Sequence, residues 1–277
     1  MAGLFNPIGW FVSSVVAPTP TPTSTPTSTP TATPTPTPTA VPAVLTTGSL
    51  YNYFDVADSN SFSGLGSDIL NLATTGSQYD GVWQSGSDVS YVSGSNFVQF
   101  RSAGALPQGN FVLNGGATVY PYPIPADFTY EAGFRLVLPP IEEAFDISLM
   151  NVRSGGGIFF SGESFVFQGD TAYPFPSAIT DQYASGSAYI LAVTVAGTAM
   201  NVYLNGVLEY TTTVTAVRPV IGGSAYQRYG AWANIAANNG GRDYDWSFHR
   251  MYQRALTAGE IESNYNYNAI GMGLPAI

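Results

Sequence analysis

Asn205-Gly206 stands between two runs of β-branched and aromatic residues, and no other feature constrains the chain as tightly. Both central residues of a type I′ turn need φ > 0, so Asn-Gly between apolar runs predicts a two-residue β-hairpin. Leu204 and Val207 then become cross-strand partners. Counting outward by twos puts Met200 and Val202 on the face of Leu204, and Asn201, Tyr203 and Leu208 on the other. The same count puts Glu209 on the apolar face, so that side is expected to open to solvent near its end. With AYILAVTVA ahead of Gly197-Thr198, the stretch predicts a three-stranded antiparallel meander.

Charge narrows the partners. Eight Arg and no Lys stand against 18 acidic residues, for a net charge of −10, and no charged residue precedes Asp55. Nucleic acid needs a basic footprint for its phosphates, and an anionic membrane surface needs the same, so both are excluded as partners. An aromatic content of 14% with 30 Gly suits an all-β domain with many turns. The absence of cysteine removes disulfides and thiolate metal sites.

Residues 1–16, MAGLFNPIGWFVSSVV, are apolar but contain Pro7, lack a basic region and fall short of the roughly 18 consecutive apolar residues of a bilayer span. They read as neither a signal peptide nor a transmembrane helix. Leu4, Phe5, Ile8, Trp10 and Phe11 form a candidate assembly anchor, a peg that inserts into another protein. The alternative is a frayed terminus or an uncleaved targeting segment. In residues 17–43, proline at every second to fourth position leaves polyproline II as the regular conformation. At about 3.1 Å per residue this Thr/Pro-rich linker spans roughly 80 Å, and its composition is also that of an O-glycosylated stalk.

Residues 44–277 carry strand-and-turn patterning of a size compatible with one sandwich or barrel. Strands are expected over 49–56, 79–83, 96–101 and 128–138, with a loop over 58–66 and a helical turn over 68–72. A strand pair is expected over 145–152 and 157–168. In a last strand over 244–254, Trp246, Phe248, Arg250 and Tyr252 alternate with Ser247, His249 and Met251. Directly after it, Thr257 and Glu260 are spaced as N-cap and N3 of a capping box. Leu256 and Ile261 are spaced as a hydrophobic staple, so a short helix follows.

AVTVAGTAMNVYLNGVLE, and DYDWSFHRMYQR running straight into ALTAGEIESNYN, resemble the laminin-G or concanavalin-A-like lectin/glucanase domain. FTYEAGFRLVLPP takes the place of that family's mid-domain strand, and YFDVADSNSFSG that of its first strand and loop. The resemblance covers roughly residues 50–269 and departs from the pattern over 107–125 and 173–187. It implies an all-β, concanavalin-A-like jelly-roll sandwich of two antiparallel sheets, preceded by the extended arm. Such modules are common on phage and viral structural proteins and on secreted adhesins, and the peg and arm fit the former. The function implied is that of a non-enzymatic virion structural protein of capsid-decoration or fibre type, placed at the virion surface. Residues 1–43 would hold it to other virion proteins in an oligomer or larger assembly, and its lectin-like domain would serve host glycan adhesion. A glycan-binding adhesin module of a secreted or cell-surface protein is the alternative. A polysaccharide hydrolase is a weaker one.

Glycosidases on this sandwich resemble one another in a Glu-x-Asp-x-Glu strand, whose alternate positions set carboxylates on one face for retaining catalysis. This sequence has no such strand, and Glu142-Glu143 with Asp146 has the wrong spacing and reads as an acidic turn. His249 is the only histidine and no G-x-S-x-G elbow is present, so no catalytic residue is assigned and His249 reads as structural. No cofactor is required. Family members often hold calcium at the sandwich rim, and Asp55, Asp58 and Asp80 lie in suitable loops or strand ends, although isolated Asp in turns is usually Asx-turn chemistry. For glycans, the expected parts are aromatic faces with amide hydrogen-bonding groups. Tyr226, Tyr229, Trp232, Asn234, Asn238 and Asn239 supply them in one loop-like stretch, and Tyr120 and Tyr122 in a second. The same aromatics suit a core or a subunit contact.

Overall fold

The computed structural model describes residues 44–64, 68–73, 80–84, 89–91, 96–100, 110–113, 122–123, 125–137, 150–153, 159–160, 164–167, 171–214, 220–221, 226–229 and 244–277. The first strands are β1 (Leu50–Asp55), β2 (Asp68–Ile69), β3 (Gly81–Gln84), β4 (Val89–Tyr91), β5 (Val98–Phe100) and β6 (Asn110–Leu113). β7 (Tyr122–Pro123), β8 (Phe128–Leu136), β9 (Met150–Arg153), β10 (Phe159–Phe160), β11 (Ser164–Phe167) and β12 (Thr171–Pro174) follow. The last six are β13 (Ala188–Ala196), β14 (Ala199–Leu204), β15 (Val207–Thr213), β16 (Val220–Ile221), β17 (Tyr226–Tyr229) and β18 (Tyr244–Tyr252). The helices are α1 (Ser177–Thr180) and α2 (Ala258–Ala269), the latter running into a 3-10 turn at Ile270–Met272.

The chain folds as an all-β sandwich of two antiparallel sheets. One sheet has the order β15-β14-β13-β8-β18-β5-β4, with β1 also paired to β18. The other has the order β12-β11-β10-β9-β17-β6-β3-β2, and β7 pairs with β16 separately. Between the sheets, Phe128, Tyr130, Phe134 and Leu136 of β8 pack with Leu191, Val193 and Val195 of β13, Met200 and Val202 of β14, and Phe54 of β1. Ile69 of β2 and Tyr173 of β12 belong to the same cluster, which ties the second sheet to the first. Fully burying each such side chain is worth about 1.5–3 kcal/mol.

The Asn-Gly hairpin is present. Asn205 and Gly206 have φ of 50° and 80°, and Leu204 faces Val207. The Asn205 Oδ1 accepts from the Ile190 N–H at 2.9 Å, and the Asn205 N–H donates to the Ile190 carbonyl at 2.8 Å, binding the turn to the neighbouring strand. A bulge then corrects the expected face of Glu209. Tyr203 pairs with Leu208 but Val202 pairs with Tyr210, so Glu209 is the extra residue and Tyr210 packs on the core in its place. The added residue keeps a carboxylate off the apolar face.

β18 carries the second bulge. Trp246 pairs with Phe134 and Phe248 with Gly133, leaving Ser247 as the extra residue. The expected alternation of Trp246 with Phe248, Arg250 and Tyr252 therefore breaks. Trp246 and Met251 join the core between the sheets, where the His249 ring meets Phe54 and Tyr130, whereas Phe248 and Tyr252 lie in the clusters on the outer face.

Two further expectations change. Residues 68–72 hold no helical turn: Asp68 and Ile69 pair with Val82 and Gly81, and burial of β-branched Ile69 outweighs the local turn signal. Within 157–168 the described residues form not one strand but the antiparallel pair β10 and β11. The other expected strands are present among the described residues, β8 and β18 starting where expected. α2 covers the outer face of the first sheet. Its Tyr265 and Ala269, with Met272, pack on Tyr53, Phe97, Ile190 and Phe248. Gly133 makes that approach close, since a Cβ there would lie 2.4 Å from the Phe248 ring and 2.9 Å from the Met272 sulfur.

Candidate functional site

The site starts from the start of α2. The Thr257 Oγ1 accepts from the Glu260 N–H at 3.3 Å, and the Glu260 carboxylate accepts from the Thr257 N–H at 2.9 Å, closing the capping box. Leu256 and Ile261 pack in one apolar cluster at that end. Hydrogen bonding from Arg254, whose Nη1 lies 2.8 Å from the carboxylate, holds Glu260 down at about 2. With its first turn fixed, the helix delivers Tyr267 and Asn268 on its last turn beside the end of β1.

Below the helix, two buried charges meet. The Arg250 Nε lies 3.5 Å from the Glu131 carboxylate, and its guanidinium sits over the rings of Phe248 at 4.2 Å and Tyr53 at 5.3 Å. Asn264 of α2 donates from one Nδ2 to both Glu131 and the Tyr252 hydroxyl, each at 3.0 Å. Burial pushes the Glu131 carboxyl up, against the pull of Arg250. The Asn264 Oδ1 accepts from the Thr46 N–H at 2.8 Å, so the same residue ties down the chain entering the domain.

A cavity of about 380 Å³ opens between β1, the loop after it and the end of α2. Tyr53, Asp55, Asp58, Asn96, Tyr267 and Asn268 are among its lining residues. Asp55 is buried and fully engaged: it accepts from the Tyr53 hydroxyl at 2.8 Å and from the Ala57 N–H at 2.9 Å. Burial pushes its carboxyl up, and also pushes the Tyr53 phenol up. Asp58 closes an Asx turn, its Oδ1 accepting from the Asn60 N–H at 2.8 Å and from the Asn60 side chain at 2.9 Å. The Asn268 Nδ2 donates to the Asn264 carbonyl at 2.8 Å, and the Asn96 Nδ2 donates to the Gly271 carbonyl. Tyr267 is 48% exposed.

The expected site residues distribute unevenly. Asp55 and Asp58 line one cavity, whereas Asp80 is engaged elsewhere, its Oδ1 accepting from the Asn71 N–H at 2.8 Å. Among the described residues, no group of three His, Cys, Asp or Glu converges as a metal cage. Tyr226 and Tyr229 stand at the two ends of β17, paired to β9 and β6, and not in a loop. Strand pairing to Arg153 and Phe111 overrides the turn-rich composition around them. Tyr122 stands in β7 opposite Ile221. Tyr120, Trp232, Asn234, Asn238 and Asn239 lie outside the described residues, as do Glu142, Glu143 and Asp146. So do the anchor residues Leu4, Phe5, Ile8, Trp10 and Phe11 and the linker over 17–43. His249 is fully buried, its Nε2 2.8 Å from the Asn52 Oδ1, and burial holds its pKa well below the usual imidazole value. Sequence reasoning missed Tyr53, Asn96, Tyr267 and Asn268. Tyr267 and Asn268 sit on a helix that the capping box locates, but nothing local places that helix end beside Asp55.

The sheets and their cover define the class: an all-β sandwich of two antiparallel sheets with a helix across the outer face of one of them. No protein-family model matches the chain, and no curated protein does. Solved structures do. The binding domain of Paraclostridial Mosquitocidal Protein 1 is similar with a TM-score of 0.55 at 16% identity, over 82% of this chain and 55% of that one. The receptor binding domain of botulinum neurotoxin D is similar with a TM-score of 0.54 at 13% identity, over 80% of this chain and 53% of that one. A mutant of Trypanosoma rangeli sialidase displaying trans-sialidase activity is similar with a TM-score of 0.53 at 16% identity, over 84% of this chain and 35% of that one. The chain thus spans from about a third to about half of those longer chains, and at these identities the likeness is one of fold. Among the described residues, no helix is long and apolar enough to cross a membrane.

Proposed function

We propose that this chain is a non-catalytic display protein whose sandwich contacts glycans and whose residues 1–43 hold it to a larger assembly, a virion shell or fibre. The observation that carries the glycan part is the polar and aromatic cavity on a lectin-type sandwich, since sugar recognition needs aromatic faces beside hydrogen-bonding side chains. Two similar chains are a binding domain and a receptor binding domain of toxins, which agrees with a binding role. Three buried acids of the first sheet already have protein partners: Asp55 holds Tyr53 and Ala57, Glu131 holds Arg250 and Asn264, and Asp245 holds Arg135. That arrangement favours a non-catalytic reading over a hydrolase, and the Glu-x-Asp-x-Glu strand is missing from the sequence. The apolar run 1–16 and the Thr/Pro linker favour an anchored arm over a free adhesin.

Deleting residues 1–43 separates the two halves of the proposal. Co-sedimentation with virus particles should be lost, while retention on a glycan-coated surface should persist. Unchanged co-sedimentation contradicts the anchor. Loss of glycan retention in the full chain contradicts the binding role.

A further inference from the structure

We infer that the cavity between β1 and the end of α2 is a subsite for an uncharged or amine-bearing sugar end and rejects carboxylate-bearing sugars; this rests on the glycan reading above. The argument concerns which groups the cavity leaves free. The side-chain amides of Asn268 and Asn96 both donate from Nδ2 to backbone carbonyls, which can only accept, so the orientation of each amide is fixed. Each Oδ1 is then left as an acceptor with no protein donor among the described residues. Asn268 is 8% exposed and lines the cavity, so its oxygen is an acceptor that a ligand can meet there. Asp58 uses Oδ1 for its Asx turn and leaves Oδ2 in the same state. The amide and carboxylate oxygens of the wall thus only accept, beside the hydroxyls of Ser59, Ser247 and Tyr267, which can do either.

A ligand that satisfies acceptors brings O–H or N–H donors. Sugar hydroxyls and ammonium groups do so; a carboxylate brings only more acceptors. Charge points the same way. Two carboxylates and no Lys, Arg or His line the cavity, and Arg250, the nearest buried cation, is covered by the Tyr53 and Phe248 rings. An acidic sugar would lose its water and meet like charge. Tyr267, half exposed in the lining, supplies an aromatic ring for the C–H side of a sugar, and the cavity volume stands at the small end of small-molecule sites. One or two terminal rings fit that size better than a long chain.

The test uses the full chain in EDTA, titrated with neutral, amino-sugar and sialic- or uronic-acid-terminated oligosaccharides. Asp58→Asn, Tyr267→Ala and Trp232→Ala variants are compared, and thermal melts confirm that each folds. Neutral or amino ends should bind and acidic ends should not. Tyr267→Ala should weaken binding, and Asp58→Asn should weaken it by about tenfold, the loss expected of one hydrogen bond to a charged group. Binding of acidic ends as tight as that of neutral ends overturns the inference. So does dependence of binding on Trp232 with indifference to Tyr267 and Asp58, which leaves the glycan reading standing. Binding that appears only when calcium replaces EDTA overturns the direct contact proposed here and leaves the glycan reading standing. Failure of every oligosaccharide to bind with or without calcium overturns both readings.

Discussion

His249 sits in the core, where its neutral ring meets Phe54 and Tyr130 and shares a hydrogen bond with Asn52. Its pKa is lowered on folding, so its contribution to stability is present above the unfolded value of 6.5 and is lost as pH falls below it. The slope reaches at most about 1.4 kcal/mol per pH unit for one proton. Asp55 and Glu131 work in the opposite sense, because burial raises their pKa values: their contributions are present at low pH and are lost as pH rises past the usual carboxylate range. Urea denaturation at pH 5 and pH 7.5 of wild type and His249→Gln isolates the histidine by difference, since Asp55 and Glu131 act in both. The variant's stability at pH 7.5 relative to pH 5 should fall below that of wild type, and an unchanged relative stability contradicts the account. Glu260 has a lowered pKa, so its contribution is present above the unfolded value of 4.5 and is lost progressively as pH falls from there to about 2. Thr257→Ala should cost about 1 kcal/mol at neutral pH through loss of the cap, read from the same denaturation curves.

Bulges, a glycine and a buried ion pair set the elements in place. Gly133→Ala should destabilise by about 1–3 kcal/mol, because the added Cβ meets the Phe248 ring and Met272 in a filled space. A lowered melting temperature with unchanged far-UV circular dichroism would show it. Arg250→Met should cost about 3–5 kcal/mol by leaving Glu131 buried without its cation. The double variant Arg250→Met/Glu131→Leu should recover much of that loss, and an additive loss contradicts the pairing. The hairpin at Asn205-Gly206 and the cap at Thr257 were legible in the sequence because each depends on residues within four positions. The bulges at Glu209 and Ser247 were not. One extra residue reverses every later side chain; at Ser247 the choice to insert it depends on Phe134 and Gly133, more than a hundred positions away, whereas at Glu209 it arises within the hairpin, where Val202 and Tyr203 face Tyr210 and Leu208.

For the whole molecule, the alternating aromatic runs and the meander carried the two-sheet architecture, since burial on one face needs only the period of two. The site was less legible. Asp55, Asp58 and Asp80 were candidates for a calcium site or Asx turns; the structure gives the first two Tyr53, Ala57 and Asn60 as partners and sets them beside Tyr267 and Asn268 from the far end of the chain. Only tertiary packing of α2 on the sheet brings those residues together. Packing through Tyr265, Ala269 and Met272 therefore couples the stability of the helix to the shape of the cavity. The most direct test of the account is a glycan array probed with the full chain. The account predicts saturable retention on a subset of glycans with neutral or amino-sugar ends, and an array on which no glycan retains the folded protein would contradict it.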